Sequence, residues 1–424
     1  MNFNLFHKER SSLKSVEHYQ KAKEIIPGGA NTISKFPCRF TIGSYPLYIK
    51  KAYNNTIVDL DGNHYLDWTN GLGTNIIGHN NSAVKKAIKD QLECGLNYSY
   101  SSDLEYTLSK KITHWIPSID AVRLFKTGSD STNAAIRVAR AYTKKNKILM
   151  SKSCYHGNAD VFAPSMDFHN GVPDCFGNFL DYFEYNNIDS VKKVISLRET
   201  AAVILEPAIV NEPDKDFLQE LQEICKWNNV LVIYDCMVTG LRSPEYSVQK
   251  YVGTTPDLTC LGKSLGSGLP ISALCGRRDL MECFNVDDAE VPVFYSGTYN
   301  GTCLSIAAAI ATLTQLKRKK STYPSYIGKI LAKSGFFEGT NYYRMIPKYG
   351  TNNLYKSVFM EQLASEGILI GNICYPNYVS TIQEANHTVD KIIEVQDRLE
   401  GLNDTELKSI LKGLEVHDFN LRKS

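Results

Sequence analysis

The sequence predicts an α/β fold built on a large, mostly parallel sheet. Two observations carry this. Short, wholly apolar runs recur through the middle of the chain, and amphipathic stretches separate them. Val122 to Phe125, Lys147 to Met150, Ala202 to Leu205 and Val230 to Tyr234 read as buried strands. Ser131 to Tyr142, with Ala135, Val138 and Ala139 on a helical period, and Leu218 to Trp227 read as helices. Strands that alternate with helices form parallel sheets covered on both faces, and such strands are apolar throughout rather than alternating. The two ends of the chain differ from the middle. Before about residue 60 there are turn signals at Pro27-Gly28-Gly29 and Tyr53-Asn54-Asn55. After about residue 310 the pattern becomes helix, short strands and helix. The expectation is a large domain over 66–312 and a smaller α+β domain made by 1–65 with 313–424, the latter segment apparently shortened.

Composition narrows the function classes. The chain has 424 residues, 43% hydrophobic and 22% charged, with a formal net charge of +2. That balance gives no strong field for nucleic acid or for an anionic membrane. No apolar run is long enough to span a bilayer, and the start lacks the apolar core of a secretory leader; a cytoplasmic protein is expected. Eleven cysteines without a CxxC pair argue for free buried thiols rather than a disulfide framework or a zinc site. Lys317 to Lys320 reads as a solvated helix end.

Four features end or follow the expected strands, where ligands of open α/β sheets sit. Thr127-Gly128-Ser129-Asp130-Ser131 leads into a helix. Glycine admits close approach, and the helix start offers free N–H groups to a phosphate; taken alone, an ordinary N-cap is the better reading. Tyr155-His156-Gly157 offers an aromatic ring that could stack on a flat cofactor. Alone it is a short loop, and His156 reads as structural rather than as a metal ligand. Asp235 closes a buried strand, where a carboxylate is costly unless paired. A protonated pyridine nitrogen, an N-cap or a structural salt bridge would each suit it. Lys263 stands between Gly262 and Ser264-Leu265-Gly266, and lysine is the residue that forms imines with aldehydes. The stretch is not a P-loop.

In this order the four features resemble class III aminotransferases, most closely the glutamate-1-semialdehyde 2,1-aminomutase-like branch. The likeness runs over about residues 20 to 315, through IIPGGANT, VDLDGNHYLDW, GLGTNIIGH, FKTGSDSTNAAIRVARAYTKKNKI, CYHGNAD, AVILEP, LVIYDCMVTGLR, PDLTCLGKSLGSGLPISALCGRR and SGTYNGTCLSIAAAIATL. The resemblance implies the aspartate-aminotransferase-type fold (fold type I of pyridoxal-phosphate enzymes), pyridoxal 5'-phosphate as cofactor and a homodimer with shared sites. It implies that Lys263 forms the Schiff base and carries a proton, that Asp235 pairs the pyridine nitrogen, and that Tyr155 stacks on the ring. It further implies that Gly128 and Ser129 bind the phosphate and that Thr298 reaches the phosphate of the neighbouring subunit.

The chain departs from the family pattern at several of these places. Asp235-Cys236-Met237 replaces Asp-Glu-Val, so Met237 is expected against the ring face opposite Tyr155. Val238 stands where many members have glutamine, and Asp130 where glutamate is usual. Thr32 and Lys35 match the serine and arginine that hold the substrate carboxylate in the branch, and Leu72 matches its pocket tryptophan. Lysine cannot grip a carboxylate with the two-pronged geometry of arginine. The segments Asn170 to Pro173 and Phe183 to Asn187 look like members of this branch associated with surface-polysaccharide or nucleotide-sugar pathways. The expected activity is therefore transfer of an amine from an amino acid donor, glutamate favoured, to a small keto or keto-sugar acceptor. An intramolecular aminomutase and a non-catalytic cofactor-binding protein are the alternatives.

Overall fold

Apolar runs of four to six residues form the centre of the sheet because the chain buries both of their faces. The computed structural model describes residues 11–116, 118–196 and 198–417. Its chain divides into two compact units. Within the described residues, one unit comprises 11–72, 78–81 and 324–417, and the other comprises 73–77 and 82–323.

In the first unit, strands β1 (Ile49–Tyr53), β2 (Thr56–Asp59) and β3 (His64–Asp67) make an antiparallel meander. The second unit holds a seven-stranded sheet: β4 (Ala121–Phe125), β5 (Lys147–Ser151), β6 (Leu180–Phe183), β7 (Thr200–Leu205), β8 (Leu231–Asp235), β9 (Leu258–Leu261) and β10 (Ser272–Gly276). Its spatial order is β4-β10-β9-β8-β7-β5-β6. β10 is antiparallel to both its neighbours; the β9-β8-β7-β5-β6 pairs are parallel. β4 therefore runs in the same direction as β9, and six strands present their carboxyl ends along one edge. Two short strands, β11 (Phe337–Glu338) and β12 (Ile346–Pro347), pair in the first unit, and β13 (Ile368–Leu369) joins β3 in parallel. N-terminal and C-terminal segments thus share one sheet. Trp68, fully buried, strengthens that tie by donating from Nε1 to Thr388 Oγ1 at 2.9 Å.

The helices follow from local signals. The helix Gly128–Thr143 starts with a capping box in which Thr127 and Asp130 satisfy each other's backbone N–H groups. Its buried face is small, with Ala134, Ala135, Val138 and Ala139 laid on the sheet beside Phe125, Ile148, Ile204, Ile233 and Leu258. The helix Lys215–Trp227 is capped by Asp214 and buries Phe217, Leu218, Leu221 and Cys225. Each expected strand and helix of the middle region is present, with ends that differ by up to three residues; the strand expected from Val230 to Tyr234 is shifted by one, to Leu231–Asp235. β6 and the antiparallel β10 carry no clear local signal; the Ser-Ala-Leu-Cys-Gly of β10 has neither a strand's alternation nor a long apolar run.

The cysteine expectation needs a correction. All eleven are free, but Cys94 and Cys175 are exposed and Cys38 is half-buried. Lys317 to Lys320 are exposed, immediately after the helix Cys303–Leu316. Among the described residues no helix is long and apolar enough to cross a membrane. Nor does any group of three or more His, Cys, Asp and Glu side chains among them suit a metal ion.

Candidate active site

The strand order brings four of the sequence-derived features to one edge of the sheet. Asp235 is the last residue of β8 and lies in register with Cys260 of β9. Lys263 follows β9 two residues beyond its end, at φ 41°. A left-handed backbone at a non-glycine residue carries strain. It is held by a short turn, in which Leu265 N–H donates to Gly262 O at 2.9 Å and Ser264 Oγ donates to Gly73 O at 3.2 Å. The 127–130 turn follows β4, and Ser272 at the start of β10 ties it down by donating from Oγ to Thr127 O. Tyr155 and His156 follow β5.

The turn at the head of the helix Gly128–Thr143 is shaped to accept an anion. Within the described residues, the amides of Gly128 and Ser129 have no acceptor, and they stand at the positive end of the helix dipole. The loop after β5 docks on this turn. Asn158 N–H donates to Ser129 Oγ at 3.1 Å, and Thr132 Oγ1 donates to His156 O at 2.7 Å. Gly157 makes the docking possible. Its φ is 101°, and a Cβ there would lie 2.9 Å from Ser129 Cα, so any larger residue would push the loop off the turn.

Asp235 is 2% exposed, with one partner on each carboxylate oxygen. Its Oδ1 accepts the Met237 N–H at 3.0 Å, and its Oδ2 lies 2.8 Å from His156 Nδ1. In its tripeptide His156 reads as a structural loop residue, and nothing local links it with Asp235, from which 79 positions separate it. The available signal was the neighbouring placement of loops after β5 and β8, on either side of β7. Burial alone would lower the His156 pKa, but hydrogen bonds to Asp235 and Cys154 outweigh it and raise it to about 10. At neutral pH His156 is therefore held as an imidazolium against Asp235.

The sign of this shift gives a testable pH dependence. A histidine whose pKa rises on folding from 6.5 to about 10 stabilises the fold fully below pH 6.5 and loses that contribution as the pH climbs through 10. The denaturant midpoint should fall over this window, and a His156→Gln variant should lack that part of the fall. Parallel curves for the two proteins would remove the charged pair from the account.

Met237, 9% exposed, has its sulfur directed at two glycines. A Cβ on Gly128 would meet Met237 Sδ at 2.9 Å, and one on Gly262 would clash with it outright. The long thioether thus occupies room that both glycines leave, filling an irregular gap as methionine readily does. Tyr155 is 45% exposed, and its backbone N–H donates to the buried Glu206 at 3.1 Å. Its ring stands at the mouth of the edge rather than in the core.

The remaining predicted residues lie elsewhere. Thr298 is exposed on the loop before the helix Cys303–Leu316, and its carbonyl accepts from Asn97 Nδ2 at 3.3 Å. With Tyr98, Ser102, Arg123 and Gly297 it lines a polar cavity of about 570 Å³. Thr32, Lys35 and Leu72 belong to the other compact unit. Thr32 and Lys35 are exposed around a single helical turn, and Leu72 is half-buried at φ 58°.

The family model described as aminotransferase class III matches residues 41–325. A glutamate-1-semialdehyde 2,1-aminomutase of Alkaliphilus oremlandii is 36% identical over 339 residues, 76% of this chain and 78% of the relative. One from Methanosarcina acetivorans is 37% identical over 349 residues, 78% and 80% of the two chains. Among solved structures, an omega-transaminase from Sphaerobacter thermophilus superposes with a TM-score of 0.82 at 23% identity, covering 94% of this chain and 100% of that one. A glutamate-1-semialdehyde-aminomutase from Pseudomonas aeruginosa gives 0.80 at 18% identity, with 94% and 96% covered. The shared fold is fold type I of the pyridoxal-phosphate enzymes.

Proposed function

The chain belongs to the class III aminotransferase family, and on that premise we propose that it is an intramolecular aminomutase of the glutamate-1-semialdehyde type. The observation that carries this reading is its likeness, at more than a third identity over most of both chains, to curated glutamate-1-semialdehyde 2,1-aminomutases. An external amine donor with a keto or keto-sugar acceptor has less support. What favours that second reading is Lys35 and Leu72, which stand where the resemblance expects an arginine and a tryptophan.

The cofactor is pyridoxal 5'-phosphate, and the carboxyl edge suits it. The acceptor-free amides of Gly128 and Ser129 would take the phosphate. Asp235 would pair the pyridine nitrogen, Tyr155 would cover one face of the ring, and Met237 would fill the space on the other. When bound, the cofactor supplies an electron sink that acidifies the carbon bearing the amine. Everything else falls to the side chains. The Met237 amide and His156 both place hydrogen-bond donors on Asp235 and fix its orientation. Lys263 would hold the cofactor through its amine and, once freed, would carry a proton at its Nζ. Moving an amine to the adjacent carbon requires a proton shift at each of two neighbouring atoms. One lysine on a flexible four-carbon stem can serve both.

Substrate contact falls to Thr32, Lys35 and Leu72, with Lys35 giving the substrate carboxylate a point charge rather than a two-pronged clamp. A homodimer completes the assignment, Thr298 serving the phosphate of a second copy. In its support, Tyr100, which lines the same cavity as Thr298, is 88% exposed and the adjacent Tyr299 is 59% exposed, leaving aromatic area facing water.

The test is product formation from glutamate-1-semialdehyde alone. With cofactor-loaded enzyme and no amino donor or keto acid added, the amine should appear on the adjacent carbon. Turnover that strictly requires glutamate plus a keto acceptor would establish transfer between two molecules instead.

A further inference from the structure

The segment that carries Thr32 and Lys35 belongs to no sheet. It is a succession of single helical turns, Pro27–Gly29, Ile33–Lys35 and Pro37–Arg39. Turns of this kind close few backbone hydrogen bonds of their own, so their position depends on what is tied to them. At the near end, Tyr48 Oη donates to Gly29 O at 2.8 Å. At the far end the ties come from the C-terminal stretch 411–417. Leu414 N–H donates to Ile42 O at 2.8 Å, and His417 N–H donates to Cys38 O at 2.7 Å.

The same stretch is fixed on its other side to the helix Asn353–Ser365. Val416, buried, donates its N–H to Ser357 Oγ at 2.9 Å. Glu361, 3% exposed, takes the Lys412 N–H at 3.0 and 3.1 Å on its two oxygens and the Gly413 N–H at 2.9 Å. A buried carboxylate with this many backbone donors is satisfied by strong, charge-assisted bonds. Gly413 then lies directly on the segment, since a Cβ there would be 2.5 Å from Ser44 Oγ and 3.0 Å from Ile42 O. Residues 412–417 thus form a strap between the helix and the turns. The short helix Asp404–Ile410 leads into it and buries Leu407.

We propose that Glu361 is a positioning residue for substrate recognition, which through the strap Lys412–His417 fixes the backbone around Thr32 and Lys35. The proposal rests on the reading above in which those two residues meet the substrate. A carboxylate more than three hundred positions downstream would then set how well the substrate anion is held, without touching substrate or cofactor.

Glu361→Gln tests it in the full-length, cofactor-loaded protein. The amide keeps the volume but turns one acceptor into a donor facing backbone N–H groups. Hydrogen exchange should quicken by about tenfold or more at Lys412 and Gly413 and also at Phe36, Arg39 and Phe40, with β8 unchanged. KM for glutamate-1-semialdehyde should rise about tenfold, with kcat within about twofold and the cofactor absorbance unaltered. Gly413→Ala, which pushes the strap off Ser44, should give the same split. Faster exchange in the strap but not at Phe36 to Phe40 would overturn the proposal, as would an unchanged KM or a joint loss of kcat and cofactor. If the unaltered enzyme does not turn over glutamate-1-semialdehyde, the functional reading fails, and the exchange pattern still decides whether Glu361 fixes the segment.

Discussion

Lys263→Ala abolishes turnover, lowering kcat by at least about 10⁴-fold, because it removes both the amine that binds the cofactor and the group that moves the proton. The protein should still fold. Lys263 is half-buried at the end of its turn, and alanine at φ 41° meets the same backbone strain as lysine. The variant should also retain the cofactor, held by the turn at Gly128 and by Asp235 but no longer covalently. Its absorbance should therefore become that of the free aldehyde. Lys263→Arg should be equally inactive, since a guanidinium does not replace the amine as nucleophile at neutral pH. Turnover in either variant would contradict both roles given to Lys263, and a biological role untouched by the loss of turnover would leave only a non-catalytic cofactor-binding protein.

Asp235→Asn should produce the second-largest effect. The substitution keeps the shape and the Met237 N–H bond but removes the charge that holds the His156 imidazolium. Breaking one side of a buried ion pair costs roughly 3–5 kcal/mol. Part of that cost is recovered as His156 loses its proton. At the cofactor, a neutral amide no longer keeps the pyridine nitrogen protonated, so the electron sink weakens. A fall in kcat of about 10²- to 10⁴-fold is expected, with much weaker cofactor retention on dialysis. An Asp235→Asn protein with near-normal kcat would place the electron sink's counter-charge elsewhere.

These residues differ in how far the sequence reveals them. Lys263 and Asp235 can be read because each follows a short apolar run, and an α/β sheet gathers strand ends on one edge. The cup at Gly128 and Ser129 is legible for the same reason, since glycine and hydroxyl residues stand before a periodic helix. The His156–Asp235 pair is not, because it depends on the crossing order that places β5 and β8 on either side of β7. Met237 lodged against Gly128 and Gly262 joins three distant stretches of chain, and no local pattern encodes that fit. Glu361 is likewise hidden: on its helix it looks like any solvated glutamate, and only the strap explains its burial. β10 escaped because its five small and apolar residues fit a turn as well as a strand.

The central claim is that Lys263 carries the cofactor, and borohydride reduction followed by peptide mass spectrometry tests it most directly. A phosphopyridoxyl group on the peptide containing Lys263, at one per chain, is the predicted result. The group on another lysine, or on none in a protein that holds the cofactor, would contradict it.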